Sequence, residues 1–234
     1  MCIRDRFTIV DRIDFSNDSP TASVRGPVSY RQWHSATGNS NYSWIVGSDL
    51  SYVYVADRID FSNDSVAATS RGPLNTARWQ LAATGNSNYG WFGGGSTSST
   101  PTQSLSSVER INFSNDNVLL SLRGPLNVSA SLAIGNSNYG WFYSGSFGDR
   151  IDFSNDSVTA SSRNNQTIKA TGAVTGNSNY GWFGGGYFIV TPPFGTPYLG
   201  VDRINFSNDL SAVSPRGSLS AGRVTSSATS NTTR

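Results

Sequence analysis

The phrase Gly85-Asn86-Ser87-Asn88-Tyr89-Gly90-Trp91-Phe92 recurs as Gly135 to Phe142 and as Gly176 to Phe183. A worn copy runs from Gly38 to Ile45, with Ser43 in place of Gly and Ile45 in place of Phe. A second phrase, Asp-Arg-Ile-Asp/Asn-Phe-Ser-Asn-Asp, starts at Asp11, Asp57, Glu109, Asp149 and Asp202, at spacings of 46, 52, 40 and 53 residues. A repeat of that period is one supersecondary unit copied and stacked, because a single unit cannot bury its own apolar face. The repeat runs almost the length of the 234 residues, so 7–234 reads as a single domain.

The copy from Arg78 to Leu126 divides into four predicted strands: Arg78–Thr84, Tyr89–Gly95, Ser107–Phe113 and Asn117–Arg123. Between the first two lies Gly85 to Asn88, where Gly and Asn tolerate positive φ and polar side chains bond their own backbone. Ser107–Phe113 alternates, with Ile111 and Phe113 on one face. Gly124-Pro125 breaks the ladder after the fourth strand, since Pro cannot donate. Four antiparallel strands in about 47 residues make the unit of a β-propeller. The predicted fold class is therefore all-β, a propeller of four-stranded antiparallel blades. Its core is predicted at Ile59, Phe61, Trp91, Ile111, Phe113, Trp141, Ile151, Phe153, Trp182, Ile204 and Phe206.

The bookkeeping of strands leaves one blade split. The chain opens on a third and fourth strand, Phe7 to Arg25, and ends on a lone first strand, Arg223 to Ser230. Four blades are complete, and the fifth lacks its second strand. Neighbouring strands sit about 4.8 Å apart, so a first and a third strand cannot pair across that gap. Either this blade is defective or the chain is a fragment of a longer array, the reading that an adapter-like start favours. Met1 to Arg6 match nothing in the repeat and resemble translated sequencing-adapter read-through; they are set aside, and Cys2 with them.

The order of the phrases resembles the kelch repeat, in which an aromatic and a double Gly end the second strand and a Tyr or Phe and Asp lie on the third. Here these are Tyr89 to Gly94, then Val108 to Phe113, then the Ser114 to Asp116 turn. The fourth-strand Trp of that family is absent. The phrases also resemble repeats in marine viral and metagenomic reading frames, some of them tail-fibre-like. Fold and size are similar to five-bladed lectins of the tachylectin type, with no sugar-site motif to carry over.

Composition excludes several functions. Sixteen Arg and one Lys stand against fourteen Asp and one Glu, a net charge of +2 spread over repeat positions rather than gathered in a patch, so no nucleic-acid partner is expected. No apolar run approaches the roughly 20 residues of a membrane span. A copper-radical oxidase of the kelch type needs two His and a Cys-modified Tyr; His34 and Cys2 stand alone. No nucleophile elbow is present. The five Ser-Asn-Asp turns, at Ser16, Ser62, Ser114, Ser154 and Ser207, match the start of an Asp-box but lack its Gly and aromatic. Asp at every blade's turn suggests turn capping, not a catalytic carboxylate pair. Asp11 and Asp14 have a spacing that could suit Ca²⁺, yet Asn112 and Asn205 replace the second Asp in two copies. No catalysis, metal or cofactor is expected.

Recognition is placed on the rim formed by the second-to-third and fourth-to-first connections. The other rim repeats almost unchanged, whereas the second-to-third loops run nine (Ser48–Ala56), thirteen (Ser96–Val108), three (Ser146–Gly148) and fifteen (Tyr187–Val201) residues. Loops on a rigid scaffold carry recognition. The candidate ligand-binding residues are Tyr187, Phe188, Phe194 and Tyr198 of the Pro-rich loop, with Arg31 and Trp79. The expected function is a non-enzymatic binding or structural module that recognises a glycan or a cell or protein surface, placed on a virion appendage or outside the cell. The alternatives are a kelch-like intracellular scaffold and a sialidase-like hydrolase.

Overall fold

In this computed structural model, residues 8–17, 19–48, 54–97, 102–145, 147–163, 172–187, 197–223 and 228 are described. A hairpin comes first, β1 (Val10–Arg12) with β2 (Ser23–Arg25). Blade 1 is β3 (Ser35–Gly38), β4 (Tyr42–Val46), β5 (Val55–Asp60) and β6 (Thr69–Pro73). Blade 2 is β7 (Ala82–Gly85), β8 (Tyr89–Gly93), β9 (Val108–Asn112) and β10 (Ser121–Arg123). Blade 3 is β11 (Leu132–Gly135), β12 (Tyr139–Ser144), β13 (Phe147–Asp152) and β14 (Ser161–Arg163). Blade 4 is β15 (Ala173–Gly176), β16 (Tyr180–Gly184), β17 (Gly200–Asn205) and β18 (Ser214–Ser218). Every blade is an antiparallel meander with its strands side by side in chain order. The first strands of successive blades are neighbours: β3 beside β7, β7 beside β11, β11 beside β15.

The repeated phrases fold as they do because their polar side chains close turns locally. Asn86 Oδ1 accepts the amides of Asn88 and Tyr89, and Asn39, Asn136 and Asn177 do the same in the other blades. At the other turn, Asp60 Oδ1 accepts the amide and hydroxyl of Ser62. Those bonds from Ser62, side chain first, hold the exposed Asp60 carboxyl below its ordinary pKa. Asn112 and Asn205 hold Ser114 and Ser207 with the same oxygen. One acceptor is all this turn requires, so Asp and Asn interchange there without a metal to explain them.

The last Asp of the same phrase does different work. Asp116 accepts from Trp44 Nε1 (2.8 Å) and Arg58 (3.0 Å) of the preceding blade, with Arg71 at 3.5 Å. Asp156 takes Trp91, Arg110 and Arg123 in the same way, and Asp209 takes Trp141, Arg150 and Arg163. Each of these indoles also stacks on the Phe of the next blade: Trp44 on Phe113, Trp91 on Phe153, Trp141 on Phe206, with centroids 4.0, 3.8 and 4.2 Å apart. A Tyr on the second strand caps the Arg of the third, as Tyr89 does Arg110. The seam thus buries an aromatic pair and neutralises the carboxylate that it desolvates. Trp44, Trp91 and Trp141 are fully buried in it.

Strand limits differ from expectation at three places. Strand one begins at Ala82, not Arg78, because Gln80 sits at φ 52° and breaks the extended run. Strand two ends at Gly93: Gly94 and Gly95 turn to φ +73° and +81°, and a Cβ on Gly94 would strike the Ala130 backbone. Strand four begins at Ser121, because the carbonyls of Asp116 and Val118 face the preceding blade's Gly72.

The predicted core is met at Trp91, Ile111, Phe113, Trp141, Ile151, Ile204 and Phe206. Phe153 is half-buried against Trp91, and Ile59 is half-buried. Phe61 is a correction: it is 48% exposed. Its equivalents stack on a Trp of the preceding unit, and among the described residues no indole of the β1–β2 hairpin reaches it. Trp182, also predicted as core, is half-buried for the converse reason, since no Phe of a following unit covers it among the described residues.

Candidate functional site

On the loop rim the structure brings two indoles together that the sequence keeps 46 residues apart. Trp33 and Trp79 meet across the seam of blades 1 and 2, their centroids 6.1 Å apart and their planes inclined at 58°. Both are half-buried. The entry to the first strand positions them. Blade 1 reads Arg31-Gln32-Trp33 and blade 2 reads Arg78-Trp79-Gln80, so the two Trp occupy successive positions of the same turn.

Trp33 holds φ 57° and Gln80 φ 52°, the non-glycine residues at positive φ among those described. The left-handed conformation costs an L-residue roughly 1–2 kcal/mol. A bond from the Gln80 amide to the Trp33 carbonyl (2.9 Å) fastens one strained turn to the other. A bulky residue held at such a backbone position is a pointer to function. Trp79 is fixed from its other side: its backbone makes a two-way bridge with Ser96, and its Nε1 donates to the Thr97 carbonyl at 3.2 Å. Thr97 in turn exchanges backbone and hydroxyl bonds with Gln103, which folds the β8–β9 loop against the indole.

Two buried ion pairs lie under this corner. Arg31 faces Asp57 at 2.9 Å, both side chains almost without exposure, and also donates to the carbonyls of Ile45, Gly47 and Val55. Arg78 faces Glu109 at 2.5 Å and donates to Gly94 and Ser107. Burial lowers the pKa of each guanidinium, and the facing carboxylate opposes that shift. The carboxylates are shared with the chain before each first strand: Asp57 accepts the Ser29 amide and hydroxyl, and Glu109 the Asn75 amide and side chain. Arg31, expected at the ligand surface, is therefore a buried strut, because its guanidinium is taken up by Asp57 and by the carbonyls of Ile45, Gly47 and Val55.

The other expected residues lie on blade 4. Tyr187 is half-buried and bridges Pro197, and Tyr198 is half-buried with its hydroxyl 3.5 Å from Asp202. Burial, and then the Asp202 charge, push the Tyr198 phenol up. Phe188 and Phe194 lie outside the described residues. Trp79 is the expected site residue around which a constellation forms. Trp33 was missed; its signal was the inverted Gln-Trp and Trp-Gln order in adjacent copies.

The opposite rim holds a cleft of about 340 Å³ between blades 2 and 3, lined by Asn86, Tyr89, Ser137, Asn138, Tyr139 and Asp152, among others. Its polar groups are engaged in turns: Asn86 by its own turn and by Ser137, Asp152 by Ser154. Among the described residues no three His, Cys, Asp or Glu side chains gather as a metal site would require. No helix among them is long and apolar enough to cross a membrane.

The solved structure titled "Structure of YjhT" superposes with a TM-score of 0.68 at 11% identity, over 84% of this chain and 68% of that one. The fold is a β-propeller. At that identity the likeness speaks for the fold alone, and the propeller's loop rim remains to be read from its own residues. No family model matches the chain, and no curated protein matches it in sequence.

Proposed function

We propose that this propeller is a non-enzymatic recognition module that binds carbohydrate at the Trp33–Trp79 corner. The corner is the observation that carries the reading: two indoles at an angle, half-buried, on the rim where loops differ from blade to blade. An indole face is matched by the apolar C–H face of a sugar ring, and the two indoles, in contact at an angle, offer a sugar one continuous aromatic surface. The ion pairs beneath keep the rotamers ordered before a ligand arrives, which lowers the entropic cost of binding. The likeness of the phrase order to kelch repeats supports a recognition scaffold. The likeness of the phrases to tail-fibre-like reading frames supports a place on a virion appendage or another extracellular surface.

A glycan array followed by titration of the strongest hit tests this. Trp33→Ala and Trp79→Ala should each weaken that hit roughly tenfold or more, with the β-sheet circular dichroism unchanged. An array with no bound glycan, or two variants that bind as well as the parent, would sink the proposal.

A further inference from the structure

The charges under the Trp33–Trp79 corner cancel before a ligand reaches it. The cations nearest the indoles along the chain are Arg31, just ahead of Gln32-Trp33, and Arg78, immediately before Trp79. Each is 1% exposed. Arg31 faces Asp57 and donates to three backbone carbonyls. Arg78 faces Glu109 and donates to the Gly94 and Ser107 carbonyls and the Ser107 hydroxyl. Neither guanidinium can turn toward an incoming anion without leaving a buried carboxylate uncompensated, since Asp57 and Glu109 are 1% and 0% exposed.

The residues flanking the indoles add no charge of their own. Trp33 stands between Gln32 and His34, and Trp79 is followed by Gln80. The loop folded against Trp79 contributes Ser96, Thr97 and Gln103. His34 is the titratable member of this set. Desolvation of its ring, and then the Arg31 charge, lower its pKa, so the imidazole is uncharged at neutral pH.

The aromatic surface disfavours an anion as well. An indole face carries the negative lobe of the ring quadrupole. The Trp79 N–H, the edge that suits an anion, already donates to the Thr97 carbonyl at 3.2 Å. An acidic group placed here loses water and gains no counter-charge. A neutral sugar meets no such penalty: its C–H face packs on the indoles while its hydroxyls stay hydrated at the edge.

We infer that the corner selects uncharged saccharides and discriminates against acidic ones, those with a carboxylate or sulfate on the sugar that lies on the indoles. This rests on the reading of the corner as a carbohydrate site and adds to it the class of sugar. The two buried ion pairs do the selecting. They hold the turns in place, and they withhold the two guanidinium groups that an acidic sugar would need.

The test is an array of matched glycans at neutral pH, each uncharged oligosaccharide beside its sialylated and its sulfated form, followed by titration of the strongest set. The uncharged member should bind best, with its acidic partners at least about fivefold weaker. Its Kd should change less than about twofold between roughly 0.05 and 0.5 M NaCl, because no ion pair is there to be screened. Gln80→Arg sets a guanidinium beside the indoles and should narrow the gap to about twofold or less. Gln103→Arg, at an exposed position, repeats that test without touching the left-handed turn. Acidic members that bind as tightly as their uncharged partners, in a manner weakened by Trp33→Ala, would overturn the inference and leave the corner a carbohydrate site. A steep loss of affinity with salt, or a gap unmoved by both Arg variants, would overturn it too. If no glycan binds, or Trp33→Ala and Trp79→Ala bind as well as the parent, the carbohydrate reading falls and the inference with it.

Discussion

Two aspartates four residues apart in one phrase have opposite tolerances. Asp152 accepts only from the Ser154 turn, and Asn fills the equivalent place at 112 and 205. Asp156 is nearly buried and serves Trp91, Arg110 and Arg123 together. Asp152→Asn should therefore change stability by no more than about 0.5 kcal/mol. Asp156→Asn leaves two partly buried guanidinium groups without a counter-charge and should cost about 1–3 kcal/mol, discounted from a fully buried pair because the Arg side chains stay about a fifth exposed. Urea unfolding reads both, with a shifted midpoint and an unchanged slope. From the sequence, both Asp read as turn caps. That holds for the first, whose partner is two residues away. The second has partners 33 to 65 residues upstream, and nothing in the spacing of a repeat says which face of the next copy a side chain meets.

At the level of the element, the first strand of blades 1 and 2 is shortened by a left-handed turn that periodicity does not announce. Trp33 and Gln80 are not residues that favour positive φ, so propensity extended the strand back to Arg78, and Arg31 with it was placed at the surface. The glycines after β8 answer a crowded backbone, since a Cβ on Gly94 would strike the Ala130 backbone. Replacing Gln80 by Gly removes a left-handed cost of roughly 1–2 kcal/mol and adds unfolded-state entropy worth about 0.5–1 kcal/mol. The expected net is a gain of up to about 1.5 kcal/mol, with glycan affinity retained. Trp33→Gly relieves the same strain but removes the half-buried indole packed on Trp79, so its net stability gain should be smaller or negative, together with loss of binding. A fall in stability for Gln80→Gly would show that the turn is not strained and would remove its value as a pointer to the site.

For the whole molecule, the misplacements of Phe61 and Trp182 share a cause: among the described residues neither meets the aromatic partner that its equivalents stack on. A seam is specified by pairs of neighbours, so a unit's burial depends on which unit stands beside it, and stability in such arrays is a sum of unit and interface terms. This makes the exposure of Phe61 reversible by design. Placing a first and second strand, copied from Arg78 to Gly95, ahead of the β1–β2 hairpin completes a blade and sets an indole where Trp44 stands relative to Phe113. The added Trp and the existing Phe61 should then stack and lose their exposed area, contributing about 1.5–3 kcal/mol for each side chain fully buried. β1 gains a ladder partner on its open edge in the same step, which removes a site of unwanted strand pairing. Thermal unfolding should show a higher midpoint for the extended chain. A control carrying Ser in place of the added Trp should retain only the ladder's share of that rise. Equal midpoints for the extended chain and its control would mean that the indole does not reach Phe61, and that the seam geometry set by blades 1 to 4 does not carry across the hairpin.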